Sequence, residues 1–373
     1  MTGKTDNGFY SSSLNKCRHV KKRLVTNKLT SGWKKAAAIA ARSLSLGKPH
    51  HAQWLITRKC NYRCVGCNVW KEQDQNELST EQIKKGLDIL KDIGIIELVL
   101  SGGDPLLRPD IAEIIDYASD RFVITVYDNG SMAAKKVDAL RKVDFAALSI
   151  DSLDEAKNDY IKSVPGAWKN AIHSLEVLQK KGIKVAVTPT ISQKNLYEIV
   201  DITNHFTSRG VPVWYCLYSY DTSVDSKQLF RIGKANDEFV ITDKKAMVDL
   251  CNKLIEMKKK NNQILMTTKL LEALRSLYEE KEQRTWKCEA LKSFLVVDHL
   301  GRISGCHNHN FAGSIFDLPE KWNSDEFKAL RKIYHDCTQC NYLCYVAYSL
   351  YGGPSSYISL ARDQWKNANL LFK

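Results

Sequence analysis

No apolar run in this chain of 373 residues approaches the ~18–20 residues that a bilayer crossing needs. The N-terminal stretch MTGKTDNGFYSSSLNK has no apolar core and no small-residue cleavage site, so no secretory leader is expected. Proline is scarce, at 8 residues, and neither low-complexity sequence nor a solenoid-length repeat is present. These absences exclude a disordered linker protein and a repeat array. They leave a folded chain able to bury one large core and a smaller one. The cysteine count is 11, an odd number, so a fully paired disulfide framework is excluded. A cytoplasmic setting is expected, where clustered thiols serve metals or catalysis more often than cross-links.

Acidic residues are also missing from one region. Residues 7–71 contain no Asp or Glu but 14 Lys or Arg. The net charge of +13 therefore belongs to the front of the chain, and the remainder is close to neutral. Residues 1–50 read as a basic, partly amphipathic segment, with a helix expected from Trp33 to Leu46. Three readings fit it: a helix packed over the bottom of the fold, a peripheral contact with anionic membrane, or a contact with RNA or another polyanion. Nucleic acid is the less favoured partner.

Behind that segment, short runs rich in β-branched and aromatic residues alternate with amphipathic stretches. The expected strands are 52–57, 96–101, 122–127, 145–150, 184–191 and 211–218. A capping box at Ser79 and Gln82 opens one helix and Gly94 closes it. Six strand–helix units over 51–240 predict an α/β fold, a partial (βα)6 TIM-like barrel short of the usual eight units. Two helices are expected in a connection over 241–282. A small cysteine-rich domain follows over 283–373, opening on two short strands around an Asp-His-Leu-Gly turn.

KCNYRCVGCNVW, at residues 59–70, places Cys60, Cys64 and Cys67 directly after the first expected strand. A structural zinc takes four ligands, and His50 or His51 stands near enough in sequence to supply the fourth. A four-iron cluster also takes four thiolates as a rule. With three, one iron stays open to bind and react. In α/β barrels chemistry sits at the C-terminal ends of the strands, which is where this loop falls.

The CxxxCxxC loop after the first strand of a six-unit barrel resembles the radical S-adenosylmethionine (radical SAM) superfamily. The resemblance implies that Cys60, Cys64 and Cys67 hold a 4Fe-4S cluster whose open iron chelates SAM. One electron would then cleave the sulfonium and release a 5′-deoxyadenosyl radical that takes a hydrogen from substrate. Three further stretches fit in order. LSGGDPLLRPD follows the second strand and implies SAM contacts from Gly102, Gly103, Asp104 and Pro105, with Asp104 where the family carries Glu. YDNGSM follows the third and implies a role for Asn129. ALSIDS ends the fourth and implies contacts from Ser149 and Asp151. Two departures stand out: Gly66 replaces the usual aromatic before the third cysteine, and the fifth strand reads VAVTPTI rather than Gly-rich.

Cys288, Cys306 and the CxxCxxxC run of Cys337, Cys340 and Cys344 are similar to the twitch form of the SPASM extension. The likeness implies an auxiliary 4Fe-4S cluster on Cys288, Cys306, Cys337 and Cys340, relaying electrons. Cys344 is then surplus, or replaces one of the four. Zinc on four of these thiols, with His307 and His309 in reserve, is the plainer alternative. Cys251 reads as a core residue and Cys216 as a candidate to face the barrel interior. Tyr215, Tyr218 and Tyr220 lie near the expected cavity, with core or rim packing the simpler reading. The resulting expectation is a radical SAM enzyme drawing electrons from a donor such as flavodoxin or ferredoxin. Its substrate is unidentified, with lipid or isoprenoid ranked above peptide or sugar. The opposing expectation is a non-enzymatic zinc or nucleic-acid binding module.

Overall fold

The computed structural model describes residues 34, 35, 37, 38, 49–71, 76–220, 233–279, 284, 286–338, 340–352, 363, 366 and 367. Most of the basic front, including most of the expected Trp33–Leu46 helix, lies outside the described residues. Within it, Lys35 is buried and its Nζ donates to Asp144 Oδ2 at 2.5 Å. This contact fits the reading in which the segment packs under the barrel.

The first strand, β1 (His51–Thr57), is buried along nearly its whole length. That is the signature of a parallel strand covered on both faces. Helix α1 (Thr80–Ile93) follows, with Ser79 and Gln82 exchanging the expected cap bonds and Gly94 left-handed at its end. It buries Ile83, Leu87 and Leu90, one face at helical spacing. Gly86 lies on the same face because a Cβ there would meet Trp54 at 2.6 Å. The repeat continues through β2 (Glu97–Gly102), α2 (Ile111–Ser119), β3 (Val123–Asp128), α3 (Val137–Leu140) and β4 (Phe145–Leu148). Next come α4 (Glu155–Lys162), α5 (Ala167–Lys180), β5 (Val185–Val187), β6 (Thr190–Ile191), α6 (Ile199–Thr207) and β7 (Cys216–Leu217).

Strands β1 to β5 pair in order, all parallel. The expected fifth strand is broken in two. Val185–Val187 pairs with β4, and Thr190–Ile191 pairs with β7. Pro189 sits at the break, where it has no N–H to give to a ladder. The sixth strand is likewise reduced to β7 and a bridge from Val213 to Val187. Six staves in parallel order make the expected partial barrel.

Helices α7 (Lys244–Lys260) and α8 (Thr268–Ser276) form the connection. Cys251 is fully buried on α7, as expected. The chain then enters β8 (Phe294–Val297), β9 (Arg302–Ser304) and β10 (Gly313–Ser314). The short α9 (Leu318–Lys321), α10 (Asp325–Asp336) and α11 (Leu343–Gly352) complete the described elements. Strand β8 lies parallel to β1, pairing His51 with Phe294 and Trp54 with Val297. The hairpin therefore extends the barrel sheet, and the expected boundary at residue 283 falls inside one continuous eight-stranded sheet. No helix among the described residues is long and apolar enough to cross a membrane.

Candidate functional site

A cavity of about 360 Å³ opens at the C-terminal ends of the strands. Its wall includes Cys60, Cys64 and Cys67 from the loop after β1, Gly102 and Gly103 after β2, and Asn129 after β3. Ser149 and Asp151 after β4 complete the set. Signals read separately along the sequence thus meet in one place. Asp104 and Pro105 are buried directly behind that wall.

Backbone bonds bind the second motif to the first. Gly103 N–H donates to Thr57 O and Asp104 N–H to Lys59 O, both at 2.8 Å. A Cβ at Gly103 would stand 2.2 Å from Lys59 O, so the approach admits no side chain. Asn129 Nδ2 lies 4.0 Å from Cys60 Sγ and donates to Asn61 Oδ1 at 2.9 Å, holding the third motif on the same loop.

Burial raises all three loop thiols, Cys60 to about 11 and Cys67 to about 12. They are protonated at neutral pH until a metal replaces the protons. Burial, then the facing Asp128, pushes the Asp104 carboxyl well above its usual range, and burial raises Asp128 as well. Two carboxyls this close do not both ionise readily. The Oδ2 atoms of Asp104 and Asp128 are buried without a hydrogen-bond donor. A cationic amino group, such as the one SAM carries, would supply what they lack, so the residues fit that ligand.

Asp151 is a junction. Its Oδ1 accepts Thr190 N–H at 2.7 Å and its Oδ2 accepts Lys162 Nζ at 2.6 Å. Lys162 also donates to Ser149 Oγ at 2.6 Å and lines the cavity. Burial pulls the Lys162 ammonium down, but Asp151 and Cys64 outweigh it and hold it above its ordinary value. Sequence reasoning missed this residue. The available signal was weak, since a lysine in the last turn of a helix ordinarily serves as a solvated cap.

Gly66 explains the missing aromatic. A Cβ there would lie 2.9 Å from Tyr218 Cε2 and 3.2 Å from Phe239 Cδ2. Both rings line the cavity, so the aromatic surface against Gly66 comes from beyond β7. Tyr215 is core, bonded to Thr203 at 2.7 Å, and Tyr220 is half-buried outside the lining.

Zinc on the first loop is contradicted by geometry. His51 starts β1 and Cys60 follows its end, so a strand of 7 residues, about 20 Å at ~3.3 Å each, separates them. His51 instead bonds Glu97 at 3.1 Å and stacks on Tyr348. Among the described residues, no three His, Cys, Asp or Glu side chains gather tightly enough for a single metal ion. A cubane spreads its thiolates over a wider frame than one ion does.

The second thiol group converges from four places: the loop before β8 (Cys288), the end of β9 (Cys306), the end of α10 (Cys337) and the turn before α11 (Cys340). After burial, their mutual charge raises Cys306, Cys288 and Cys340, the last two to about 11 and about 12. Four half-buried thiols brought together in this way are a donor set that fits a four-iron cluster. Cys344 stands apart. It neighbours Cys216 and, with it, lines the first cavity. That proximity holds the Cys344 thiol below its ordinary value and raises Cys216.

Residues 54–205 match the family model described as the Radical SAM superfamily. Those residues form a radical SAM domain. An AdoMet-dependent heme synthase of Methanosarcina barkeri is 26% identical over 321 residues, covering 79% of this chain and 89% of that protein. The AdoMet-dependent heme synthase of Nitratidesulfovibrio vulgaris is 30% identical over 168 residues, 43% of this chain and 46% of its own length. The chain thus spans about half the length of several curated relatives it matches. Among solved structures, SuiB of Streptococcus suis bound to S-adenosylmethionine aligns with a TM-score of 0.58 at 18% identity, covering 80% of this chain and 71% of that one. Native anSMEcpe with bound AdoMet and Kp18Cys peptide gives 0.59 at 11%, covering 87% and 97%. Both show a likeness of fold over most of this chain.

Proposed function

We propose that this protein is an enzyme that cleaves SAM reductively and uses the resulting radical to take hydrogen from an unactivated C–H bond. The observation that carries the reading is the convergence of three thiols, the Gly102–Gly103 approach, Asn129, Ser149 and Asp151 on one cavity. Cys60, Cys64 and Cys67 would hold a 4Fe-4S cluster, which would supply the one-electron chemistry for cleaving SAM. The chain's own residues do the positioning. Gly103 lets the second loop lie against the cluster loop. Asp128 lines the cavity with an unpaired carboxyl oxygen that suits a cationic group, and Asp104 is buried behind it. Lys162 offers an ammonium for a carboxylate and holds Asp151 and Ser149 in place. The aromatic wall of Tyr218 and Phe239 is suited to a flat base.

Cys288, Cys306, Cys337 and Cys340 would hold the auxiliary cluster, whose role is to relay single electrons to or from the cavity. A flavodoxin or ferredoxin class donor suits that chemistry. The cavity wall includes Leu55, Val69, Val99 and the rings above, which favours an apolar substrate, isoprenoid, lipid or tetrapyrrole, ahead of a sugar or peptide. The name of the Methanosarcina barkeri relative supports the tetrapyrrole member of that group. A zinc or nucleic-acid module would leave the ordered glycine, serine and aspartate positions without a role.

The test is anaerobic iron–sulfur reconstitution, then SAM and dithionite, with 5′-deoxyadenosine measured by chromatography. Formation of 5′-deoxyadenosine is expected. A brown, cluster-loaded protein that yields none overturns the reading.

A further inference from the structure

Two thiols in the cavity have no place in either cluster. Cys216 comes from the last barrel stave, β7, and Cys344 from the first turn of α11. Their side chains are near enough to perturb each other's protonation. A phenol neighbours each: Tyr127 beside Cys216, and Tyr348, one turn along α11, beside Cys344. All four side chains line the cavity that Cys60, Cys64 and Cys67 face. Residues far apart in sequence thus place a thiol pair where a carbon radical would be made. A small core residue would fill either position equally well, whereas cysteine brings reactivity.

We propose that Cys216 and Cys344 form a hydrogen-atom donor for a carbon radical generated in this cavity. The chemistry follows from bond strengths, since a thiol S–H bond is weaker than an aliphatic C–H bond. The Cys216 S–H bond breaks homolytically and its hydrogen forms the new C–H bond on the radical carbon. Cys216 is left as a thiyl, oxidised by one electron, beside the Cys344 sulfur. One electron from the same class of low-potential donor that SAM cleavage requires, with one proton from solvent, restores the thiol. A substrate radical quenched in this way gains a hydrogen atom rather than losing an electron. The reaction class is then epimerisation, rearrangement or addition, with no net oxidation of the substrate.

The proposal rests on the SAM-cleavage reading, and the test separates the two. The 5′-deoxyadenosyl radical itself serves as the probe radical, so no substrate is needed. Cluster-loaded, full-length protein is given SAM and dithionite in D2O, where the thiols carry deuterium by exchange. Deuterium is scored per molecule of 5′-deoxyadenosine formed, so the rate of formation does not matter. The wild type is expected to place solvent deuterium in 5′-deoxyadenosine. Cys216→Ser and Cys344→Ser are expected to lose it, because serine keeps the shape but its O–H bond is too strong to donate. Unchanged deuterium in both variants overturns the proposal. No 5′-deoxyadenosine from wild type overturns the SAM-cleavage reading, and the thiol role with it. A second measurement needs no variant. Diamide treatment followed by peptide mapping is expected to trap a Cys216–Cys344 disulfide, and a map with both thiols still reduced counts against the pair.

Discussion

Replacing Lys162 with Met tests the junction that holds the fourth motif. The Lys162 and Asp151 side chains are 7% and 5% exposed and meet at 2.6 Å. Methionine fills similar volume but leaves the Asp151 carboxylate buried with the Thr190 backbone N–H as the remaining donor to it. Breaking one side of a buried ion pair costs about 3–5 kcal/mol, because the surviving charge is left uncompensated. Asp151→Asn should cost a similar amount, since it strands the ammonium. The double variant removes both charges and should cost less than either single one. The resulting coupling, taken from a double-mutant cycle, is then expected to exceed about 3 kcal/mol, above the ~0.5–3 kcal/mol usual for contacting groups. Anaerobic urea unfolding of the cluster-loaded proteins measures it, with a constant slope confirming comparable unfolding. Each single variant should also raise the SAM dissociation constant, because both side chains line the cavity. Single effects that add to within about 0.5 kcal/mol would refute the pair.

Four further outcomes are expected. Replacing Cys60, Cys64 and Cys67 together by Ala should abolish SAM cleavage while the C-terminal thiols still retain iron, and complete iron loss from a folded protein would contradict independent sites. Asp151→Ala should weaken SAM binding more than it lowers iron content, as read by equilibrium dialysis beside iron analysis; an unchanged dissociation constant removes Asp151 from the site. Gly103→Ala should destabilise by about 1–3 kcal/mol or more through overpacking against Lys59 O, measured by unfolding, whereas an unchanged midpoint would show that the loop has room. Deleting residues 1–45 should spare SAM cleavage but reduce binding to anionic vesicles, steeply with salt because screening acts within about 8 Å at physiological ionic strength. Full-length protein that ignores such vesicles at low salt would remove the membrane reading, and a truncated chain that fails to fold would instead favour packing of the Lys35 region on Asp144.

The parts of the fold legible in sequence were those set by local pattern. Strand runs, the Ser79 cap, Gly94 and the strand-end motifs all rest on neighbours in the chain, and each lies where its pattern indicates. What escaped depends on contacts between distant residues. Lys162 looks like an ordinary helix-end lysine until α4 turns it onto Asp151. The aromatic wall opposite Gly66 comes from Tyr218 and Phe239, which no spacing rule links to the cluster loop. Cys344 reads as part of a cysteine run, yet the helical turn after Cys340 points it away from the other four toward Cys216. The break in the fifth strand was visible as Pro189 but not as a change of partner from β4 to β7.

The pairing of β8 with β1 has a consequence for synthesis. One edge of β1 has no partner until the ribosome has made nearly the whole chain, because its neighbour on that side is Phe294–Val297. An apolar strand with an open edge is a template for pairing with other chains. Pairings between strands so distant in sequence also form late and slowly. A nascent barrel that has all six staves is therefore still sticky at its first one. A fragment ending near residue 240 should aggregate through β1 even with its cluster loop intact. Supplying the C-terminal hairpin as a separate chain should rescue its solubility.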